Sequence, residues 1–126
     1  MRAIVVGVGK LGFEVASRLV DENHDTVVID VSEQALQAAR DHLDVLPVQG
    51  NGALPSVLKK AQAASADLLV AATASDEVNL VACATGKQLG VGLCAARIRE
   101  DEYMAAAADP SWKQRFGLDA VVNPEH

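Results

Sequence analysis

Apolar runs and segments of helical periodicity alternate along the whole chain. Six apolar runs predict β-strands, at residues 2–7, 26–30, 45–48, 67–72, 93–98 and 119–122. Helix-spaced apolar positions between them predict helices, at residues 10–22, 33–42, 53–63, 76–89 and 100–108, with a further turn at 112–116. Because strands alternate with helices, we expect an α/β fold with a doubly wound parallel sheet, about six strands in the order 3-2-1-4-5-6 and helices on both faces.

Several residues mark where the predicted helices begin and end. Ser32 is an N-cap for the second helix, and Pro55 fits the first turn of the third. Either Ser75 or Asp76 caps the fourth helix, and Gly90 ends it. These signals bound the second, third and fourth predicted helices.

A glycine-rich turn follows the first strand directly. Residues 7–12 read Gly-Val-Gly-Lys-Leu-Gly, a G-x-G-x-x-G pattern that opens the first helix. Gly7 permits the tight turn, Gly9 lets a diphosphate approach the backbone amides, and Gly12 lets the helix pack close to the strand. The helix N-terminus adds partial positive charge. With a strand before it and a helix after it, the turn predicts a nucleotide site in a Rossmann-like sheet.

An acidic residue stands where a dinucleotide-binding sheet needs one. Asp30 follows the apolar run Val27–Ile29, eighteen residues beyond Gly12. A carboxylate there accepts hydrogen bonds from the ribose hydroxyls and repels a 2′-phosphate, so NADP is disfavoured. The alternative is a strand-end acid exposed to solvent. Lys10 either neutralises phosphate or is a solvated lysine at a helix start, where a cation opposes the helix dipole.

The carboxyl ends of the other strands supply further candidate residues. Ligands of this fold bind outside those ends, where the strand order reverses between strands 1 and 4. Besides the glycine turn and Asp30, the candidates are Val31, Asn51, Gly52, Ala72, Thr73, Ala74 and Arg97. Val31 is expected to lie against an adenine edge. Asn51 either contacts adenine or forms an Asx turn, and Arg97 either faces the ligand or is a solvated strand end.

Composition narrows the classes of partner. The 126 residues are half apolar, enough for one domain spanning 1–126. The net charge of −6 disfavours binding to nucleic acid or to anionic membrane, and no apolar stretch reaches the ~18–20 residues of a membrane span. Cys83, Cys94, His24 and His42 have no metal-ligand spacing, so we expect no metal site and two buried, reduced thiols. Trp112 and Phe116 lie four apart and predict an apolar helix face that packs on the sheet edge or on a partner.

Catalytic residues are harder to find in this sequence. A dehydrogenase needs a proton donor or acceptor beside the nicotinamide and usually a second domain for its substrate. No Ser-Tyr-Lys set, nucleophile elbow or P-loop occurs. The chain is therefore expected to bind a nucleotide without being an enzyme. The alternatives are a small NAD-dependent oxidoreductase fragment and a structural dimerisation module with a degenerate pocket.

Several motifs occur in the order that one family uses. They are residues 7–12, Val28-Ile29-Asp30, Gly50-Asn51-Gly52, residues 67–73, Asp76-Glu77-Val78-Asn79 and Ala96-Arg97-Ile98-Arg99. On these motifs almost the whole chain resembles the TrkA-N or RCK-N family, the nucleotide-binding domains of Trk/Ktr potassium-transport regulators. The D-E-x-N motif after A-x-T is much more specific than the glycine turn.

The resemblance implies a cytoplasmic regulatory subunit, held at the inner membrane through a potassium transporter subunit that it gates. It implies binding of NAD(H), ATP, ADP or AMP, and a homodimer that can assemble further into a ring. By the family pattern, phosphates would be held by Gly7, Gly9, Lys10, Leu11 and Gly12. Asp30 would bind ribose, Asn51 and Gly52 the adenine side, and Thr73 and Arg97 would lie in or near the pocket; Glu77 would help to place a cation. Many Ktr-type relatives carry arginine at position 10 and aspartate at position 51, so the preferred nucleotide stays open.

Overall fold

Six strands and six α-helices make up the computed structural model, which describes residues 1–124. The strands are β1 (Arg2–Val6), β2 (Asp25–Asp30), β3 (Leu46–Gln49), β4 (Leu68–Ala71), β5 (Leu93–Arg97) and β6 (Ala120–Val122). The helices are α1 (Lys10–Asp21), α2 (Glu33–His42), α3 (Pro55–Lys60), α4 (Asp76–Leu89), α5 (Asp101–Ala106) and α6 (Pro110–Arg115).

All the strand pairs of the sheet are parallel, in the order β3-β2-β1-β4-β5-β6. β1 lies in the middle, with Val5 opposite Val28 of β2 on one side and Val70 of β4 on the other. The chain runs outward from β1 to β3 and then returns to build β4 to β6. The predicted fold and strand order are confirmed, and the reversal between β1 and β4 opens a crevice at the carboxyl ends.

The sheet separates two apolar cores because successive strand residues point to opposite faces. Ile4 and Val6 of β1 belong to the larger core, which α3 and α4 cover. Ala3 and Val5 belong to the smaller one, which α1 and α2 cover. Residues 3–6 of β1 are buried, so the strand end that leads into residue 7 is packed on both faces.

The helix ends agree with the predicted capping residues. Ser32 Oγ accepts a hydrogen bond from the Ala35 amide at 3.1 Å, and α2 starts at the next residue. Of the two candidates for α4, Ser75 is the N-cap. Gly90 ends α4 with a φ of 116°, a left-handed conformation that glycine adopts without strain.

The third helix and the C-terminal helices differ from their predicted bounds. The helix predicted over 53–63 stops at Lys60, because Gln62 takes a left-handed conformation (φ 63°) and a separate 3-10 helix follows at Ala63–Ser65. α6 begins before the turn predicted at 112–116, because Asp109 Oδ1 accepts the Ser111 amide and caps it. α5 is shorter than the predicted 100–108.

The aromatic residues near the C-terminus pack on the protein itself. The rings of Trp112 and Phe116 lie 4.7 Å apart, and Tyr103 lies 6.2 Å from Trp112. All three are half-buried against the larger core, which confirms the packing interpretation. Within residues 1–124, no helix combines the length and the apolar character needed to cross a bilayer.

Candidate functional site

The glycine turn after β1 depends on a left-handed residue and a close approach. Gly7 has a φ of +89°, and its amide donates to the Ile29 carbonyl at 2.7 Å. A Cβ at Gly7 would lie 2.9 Å from the backbone nitrogen of Thr73. The chain can therefore turn here, between the ends of β2 and β4, only with glycine.

The other two glycines of the turn have opposite surroundings. A Cβ on Gly12 would lie 1.7 Å from the carbonyl oxygen of Gly7, so this position holds α1 against the turn. A Cβ on Gly9 would meet nothing within 4 Å, and Gly9 is exposed. Gly12 therefore serves packing, as expected of it, and Gly9 leaves open space above the backbone.

The N-terminus of α1 is available to an anion. Gly9 is the N-cap, no side chain among the described residues caps this end, and the first turn carries no acid. The first amides of a helix have no partners within the helix, and they lie at the positive end of its dipole. Lys10 is exposed beside them. Amides, dipole and ammonium group together favour a phosphate or carboxylate here.

Asp30 joins the end of β2 to the glycine turn. Its Oδ2 accepts the Val8 amide at 2.9 Å, and its Oδ1 accepts the Ser32 amide at 2.9 Å. A carboxylate has about four acceptor positions, so each oxygen retains capacity for a hydroxyl donor. The two backbone bonds fix the orientation of the carboxylate before any ligand arrives.

The residues beyond β2 and β3 form one wall of the site. Val31 is 66% exposed and lines the cleft. Asn51 Oδ1 accepts the Ala53 amide at 2.9 Å, which is the Asx turn that the sequence left open. Gly52 packs on β1, since a Cβ there would lie 2.3 Å from Val6 Cγ1. The Asx turn uses the side-chain oxygen of Asn51 and not its side-chain nitrogen, Nδ2.

A cleft of about 860 Å³ lies between these elements, at the carboxyl ends of the strands. Its lining residues are Val6, Gly7, Gly9, Lys10, Leu11, Glu14, Ile29, Asp30, Val31, Gly50, Asn51, Gly52, Ala72, Thr73, Ala74, Ser75, Val78, Arg97 and Pro124. A volume of this size suits a nucleotide. The structure thus brings together residues from six separate loops or strand ends.

Two predicted site residues do not line the cleft. The side chain of Val8 is buried in the smaller core, and only its amide reaches Asp30. Gly12 lies beneath the turn against Gly7. Both support the cleft from below, because the turn exposes Gly9 and Lys10 and directs the preceding residue, Val8, inward.

One charged residue of the cleft lining, Glu14, was not predicted from the sequence. Glu14 lies one helical turn beyond Lys10 and lines the cleft. The i, i+4 spacing on α1 was the available signal, because residues four apart share a helix face. The charged residues described in the lining are two cations, Lys10 and Arg97, and two anions, Asp30 and Glu14. The cleft therefore carries two cationic side chains, which attract a phosphate, and two carboxylates, which repel it.

The D-E-x-N motif holds the loops behind the cleft. Asp76 is buried, and its carboxylate accepts the amides of Arg99 and Glu100 at 2.8–3.1 Å. Asn79 is fully buried and hydrogen-bonds to Thr73 and to the Arg97 carbonyl. The motif therefore joins the loops after β4 and β5.

Glu77 has a different place from the one that the resemblance implied. Its Oε2 accepts the Tyr103 hydroxyl at 2.9 Å, and it does not line the cleft. The hydrogen bond to Glu77 raises the pKa of Tyr103 above its ordinary value.

The cysteines and histidines lie away from the cleft. Cys83 and Cys94 are both free thiols and buried, as predicted. Hydrogen bonding to Cys94 and burial raise the pKa of Cys83 far above its ordinary value, so this thiol stays protonated and unreactive. Within residues 1–124, no group of three or more histidine, cysteine or acidic side chains is placed to hold a metal ion.

Comparison with known proteins identifies the family of the chain. The TrkA-N domain model matches residues 3–124, nearly the whole chain. The chain belongs to the TrkA-N domain family. It is 39% identical to the Trk system potassium uptake protein TrkA of Azorhizobium caulinodans over 99% of its own length and 28% of that protein. It is 38% identical to the protein of the same name from Haemophilus influenzae, over 100% of its own length and 28% of that protein.

Solved structures share the fold of this TrkA-N domain. The TrkA-N domain of the inner membrane protein ybaL from Escherichia coli superposes with a TM-score of 0.83 at 22% identity, covering 98% of this chain and 87% of that one. The GsuK channel bound to NAD gives 0.78 at 20% identity, over 96% of this chain and 21% of that one. GsuK bound to ADP gives 0.77 at 22% identity, over 97% and 31%.

The curated relatives are considerably longer than this chain. The chain spans 28% of the length of each of the two relatives named above. Both relatives are potassium uptake proteins by name, and neither name describes an enzyme. These names describe whole proteins, and the chain matches the part of each that corresponds to the TrkA-N domain.

Proposed function

We propose that this TrkA-N domain, spanning 1–126, senses a nucleotide and regulates a potassium transport system. The ligand is NAD(H) or an adenine nucleotide such as ATP, ADP or AMP. One observation carries the proposal: the uncapped N-terminus of α1 and the carboxylate of Asp30 face the same cleft. A diphosphate joined to a ribose needs these two groups at neighbouring positions.

Each part of the cleft has a counterpart in such a ligand. The diphosphate binds at Gly7, Gly9 and the first amides of α1, with Lys10 and Leu11 beside it. Asp30 accepts hydrogen bonds from the ribose hydroxyls through its remaining acceptor positions. The far half of the ligand lies along the loop after β4.

The adenine is expected on the other side of the cleft. The exposed side chain of Val31 offers an apolar surface to one face of the base. The amide nitrogen of Asn51, left over from the Asx turn, can donate to a ring nitrogen. The close packing of Gly52 on Val6 keeps the wall flat enough for the base to approach.

A regulatory role accounts for the cleft better than catalysis does. The ionisable side chains described in its lining are Lys10, Glu14, Asp30 and Arg97, with no histidine, cysteine or tyrosine among the described lining residues. The hydrogen bonds described for Asp30 come from the backbone amides of Val8 and Ser32, which are not acid/base partners. The names of the relatives also describe uptake proteins.

Regulation requires that nucleotide binding change the contact with a partner. We assign that partner as a membrane-embedded potassium transporter subunit, with the domain on the cytoplasmic side of the inner membrane as a homodimer or a larger ring. A nucleotide shifts the conformational equilibrium only by the difference in its affinity for the two states. The glycine turn and the loop after β4 are the elements that a ligand would draw together, since both line the cleft.

A thermal-shift panel of NAD, NADH, ATP, ADP, AMP and NADP on the 126-residue chain tests the proposal. A ligand present at about 100 times its Kd stabilises the folded state by roughly 2.7 kcal/mol, which is several degrees for a domain of this size. We expect stabilisation by at least one of the first five nucleotides and less by NADP. If none stabilises the chain, the nucleotide-sensing function is wrong.

The alternative enzymatic function has its own readout. Incubation with NADH and carbonyl substrates, followed by NADH absorbance, should show no turnover. Sustained oxidation of NADH would instead favour the oxidoreductase fragment. Binding without turnover, together with loss of transport regulation when the cleft is altered, would support the regulatory role.

A further inference from the structure

The side chain of Asn79 makes four hydrogen bonds behind the cleft. Its Oδ1 accepts the Thr73 amide at 2.9 Å and the Thr73 hydroxyl at 2.7 Å. Its Nδ2 donates to the Thr73 carbonyl at 3.1 Å and to the Arg97 carbonyl at 2.9 Å. A carboxamide has two donors and two acceptor positions, so this side chain is fully used. It is also fully buried.

These bonds replace a sheet ladder that has already ended. The last pair between β4 and β5 joins Ala71 to Ala96. Thr73 lies two residues beyond that pair, where no β5 residue is paired with it in the described ladder. Asn79 therefore connects the two strand ends at the point where they begin to line the cleft.

Asn79 acts on the cleft only through its neighbours. Thr73 and Arg97 line the cleft, whereas Asn79 does not. A buried carboxamide with fixed partners holds the backbone of both residues in one arrangement. Loss of the Nδ2 donor would remove one hydrogen bond from each of the Thr73 and Arg97 carbonyl oxygens and allow the loop after β4 to move.

We propose that Asn79 is the positioning residue of the nucleotide cleft, setting Thr73 and Arg97 for the ligand; this rests on the proposed function. The four hydrogen bonds that join Asn79 to these two lining residues are the observation that supports the proposal. We expect Asn79 to raise the affinity of the folded protein for the nucleotide, in addition to any contribution to the free energy of unfolding.

A matched pair of isosteric substitutions separates positioning from stability. Asn79→Asp keeps the shape and the acceptor but removes both N–H donors. Asp76→Asn is the control, since Asp76 lies on the same turn of α4 and holds the amides of Arg99 and Glu100, which do not line the cleft. Both variants are titrated with NAD and with ADP by calorimetry, well below their unfolding midpoints.

The expected result at about pH 8 is a loss of roughly tenfold or more in affinity for Asn79→Asp, because the carbonyl oxygens lose their donor. Asp76→Asn should bind within about twofold of the unmodified chain even where it unfolds more easily. Equal affinity of the folded Asn79→Asp variant and the unmodified chain would overturn the inference while leaving the proposed function standing. If the unmodified chain binds neither NAD nor ADP, the inference falls together with the assignment of these two ligands.

Acidification provides a signature that a purely structural role would not give. A carboxyl group facing the carbonyl oxygens of Thr73 and Arg97 favours its protonated form, which donates one hydrogen bond, so Asn79→Asp should regain affinity between about pH 8 and pH 5.5. The unmodified chain, measured over the same range, corrects for titration of the ligand and of other groups. An affinity ratio between the two proteins that does not change with pH contradicts the inference.

A second substitution keeps the test decisive if Asn79→Asp does not fold at the higher pH. Asn79→Ser is neutral and leaves one hydroxyl for four partners, so its affinity should fall at every pH. If neither variant folds at any pH, Asn79 is required for folding and the proposed positioning role is wrong.

Discussion

The same type of hydrogen bond, from a backbone amide to a carboxylate, occurs at both ends of the sheet, but only the carboxyl ends form the cleft. At the amino ends, Asp67 accepts the Arg2 amide at 2.9 Å and Asp119 accepts the Cys94 amide at 2.8 Å, so carboxylates satisfy the strand ends. At the carboxyl ends, Asp30 and Asp76 accept backbone amides in the same way. Carboxylate-to-amide bonding alone therefore does not distinguish a binding site from a structural joint.

The helix dipole does distinguish the two ends. The cleft receives the N-terminus of α1, where amides are free for an anion. A smaller recess of about 580 Å³ at the amino ends is lined by residues that follow or close the same helix, including Val20, Asn23 and His24. The negative end of the α1 dipole lies there, and two acids, Asp25 and Asp44, line the recess with one cation, Arg2. Phosphate is favoured at one end of the helix and disfavoured at the other.

The largest expected effect comes from changing the glycine that holds α1 in place. In Gly12→Ala the new Cβ would lie 1.7 Å from the Gly7 carbonyl oxygen, so backbone must move. Alanine gains about 1 kcal/mol of helix propensity, which does not offset the clash. We expect a net loss of about 3 kcal/mol in the free energy of unfolding, measured by urea denaturation. A variant as stable as the unmodified chain would mean that the turn and helix are not held as described.

Gly9→Ala is the matched substitution, and it should affect binding instead of stability. Its Cβ meets no protein atom within 4 Å, and the backbone at Gly9 (φ −70°) suits alanine. The weaker N-cap and the less flexible unfolded chain offset each other to within about 1 kcal/mol. We expect at least about a tenfold loss in affinity for NAD and ADP, because the methyl group occupies the space of the diphosphate. Unchanged affinity, measured by calorimetry, would place the phosphates elsewhere.

Asp30→Ala and Asp25→Ala are matched substitutions at the two ends of β2. Asp30 faces the cleft, whereas Asp25 at the start of β2 lines the recess. Removing a charged acceptor for the ribose should weaken NAD binding by about 1.5 kcal/mol, roughly tenfold, and narrow the difference between NAD and NADP. Asp25→Ala should leave both affinities unchanged. Equal effects of the two substitutions would indicate a general charge effect and no ribose contact.

The sequence predicted the sheet and the main outline of the cleft because both follow from local patterns. Apolar runs of strand length determine the strand order through the crossover rules, and the carboxyl ends then coincide. Gly7, Gly9 and Asp30 were predictable because a turn and a strand end fix their positions. The inward direction of Val8 follows from the same turn, but only the three-dimensional packing of the smaller core reveals it.

Contacts between distant segments were not predictable in the same way. Gln62 takes a left-handed conformation and ends α3 early, and its side chain accepts a hydrogen bond from Arg2, sixty residues earlier. Asn79 carried a family motif, but the partners of its carboxamide lie on two other loops. Local sequence propensity does not predict such contacts, because tertiary packing determines which distant residues meet.

The smallest expected effect belongs to Asp119, the structural joint at the amino ends. Partial burial acts to raise the pKa of Asp119, but hydrogen bonds from Lys87 Nζ at 2.6 Å and from the Cys94 amide lower it below its ordinary 3.8. Because the folded pKa is the lower one, the stabilisation is complete above pH 3.8 and is lost as the pH falls through the folded pKa. Asp119→Asn should cost ~0.2–1 kcal/mol at neutral pH, since both partners are about one-third exposed. In urea denaturation the two proteins should converge in strongly acidic solution, with unchanged affinity for NAD and ADP at neutral pH. A gap that persists in acid, or an altered affinity, would mean that the two ends of the sheet are coupled more strongly than their separate hydrogen bonds imply.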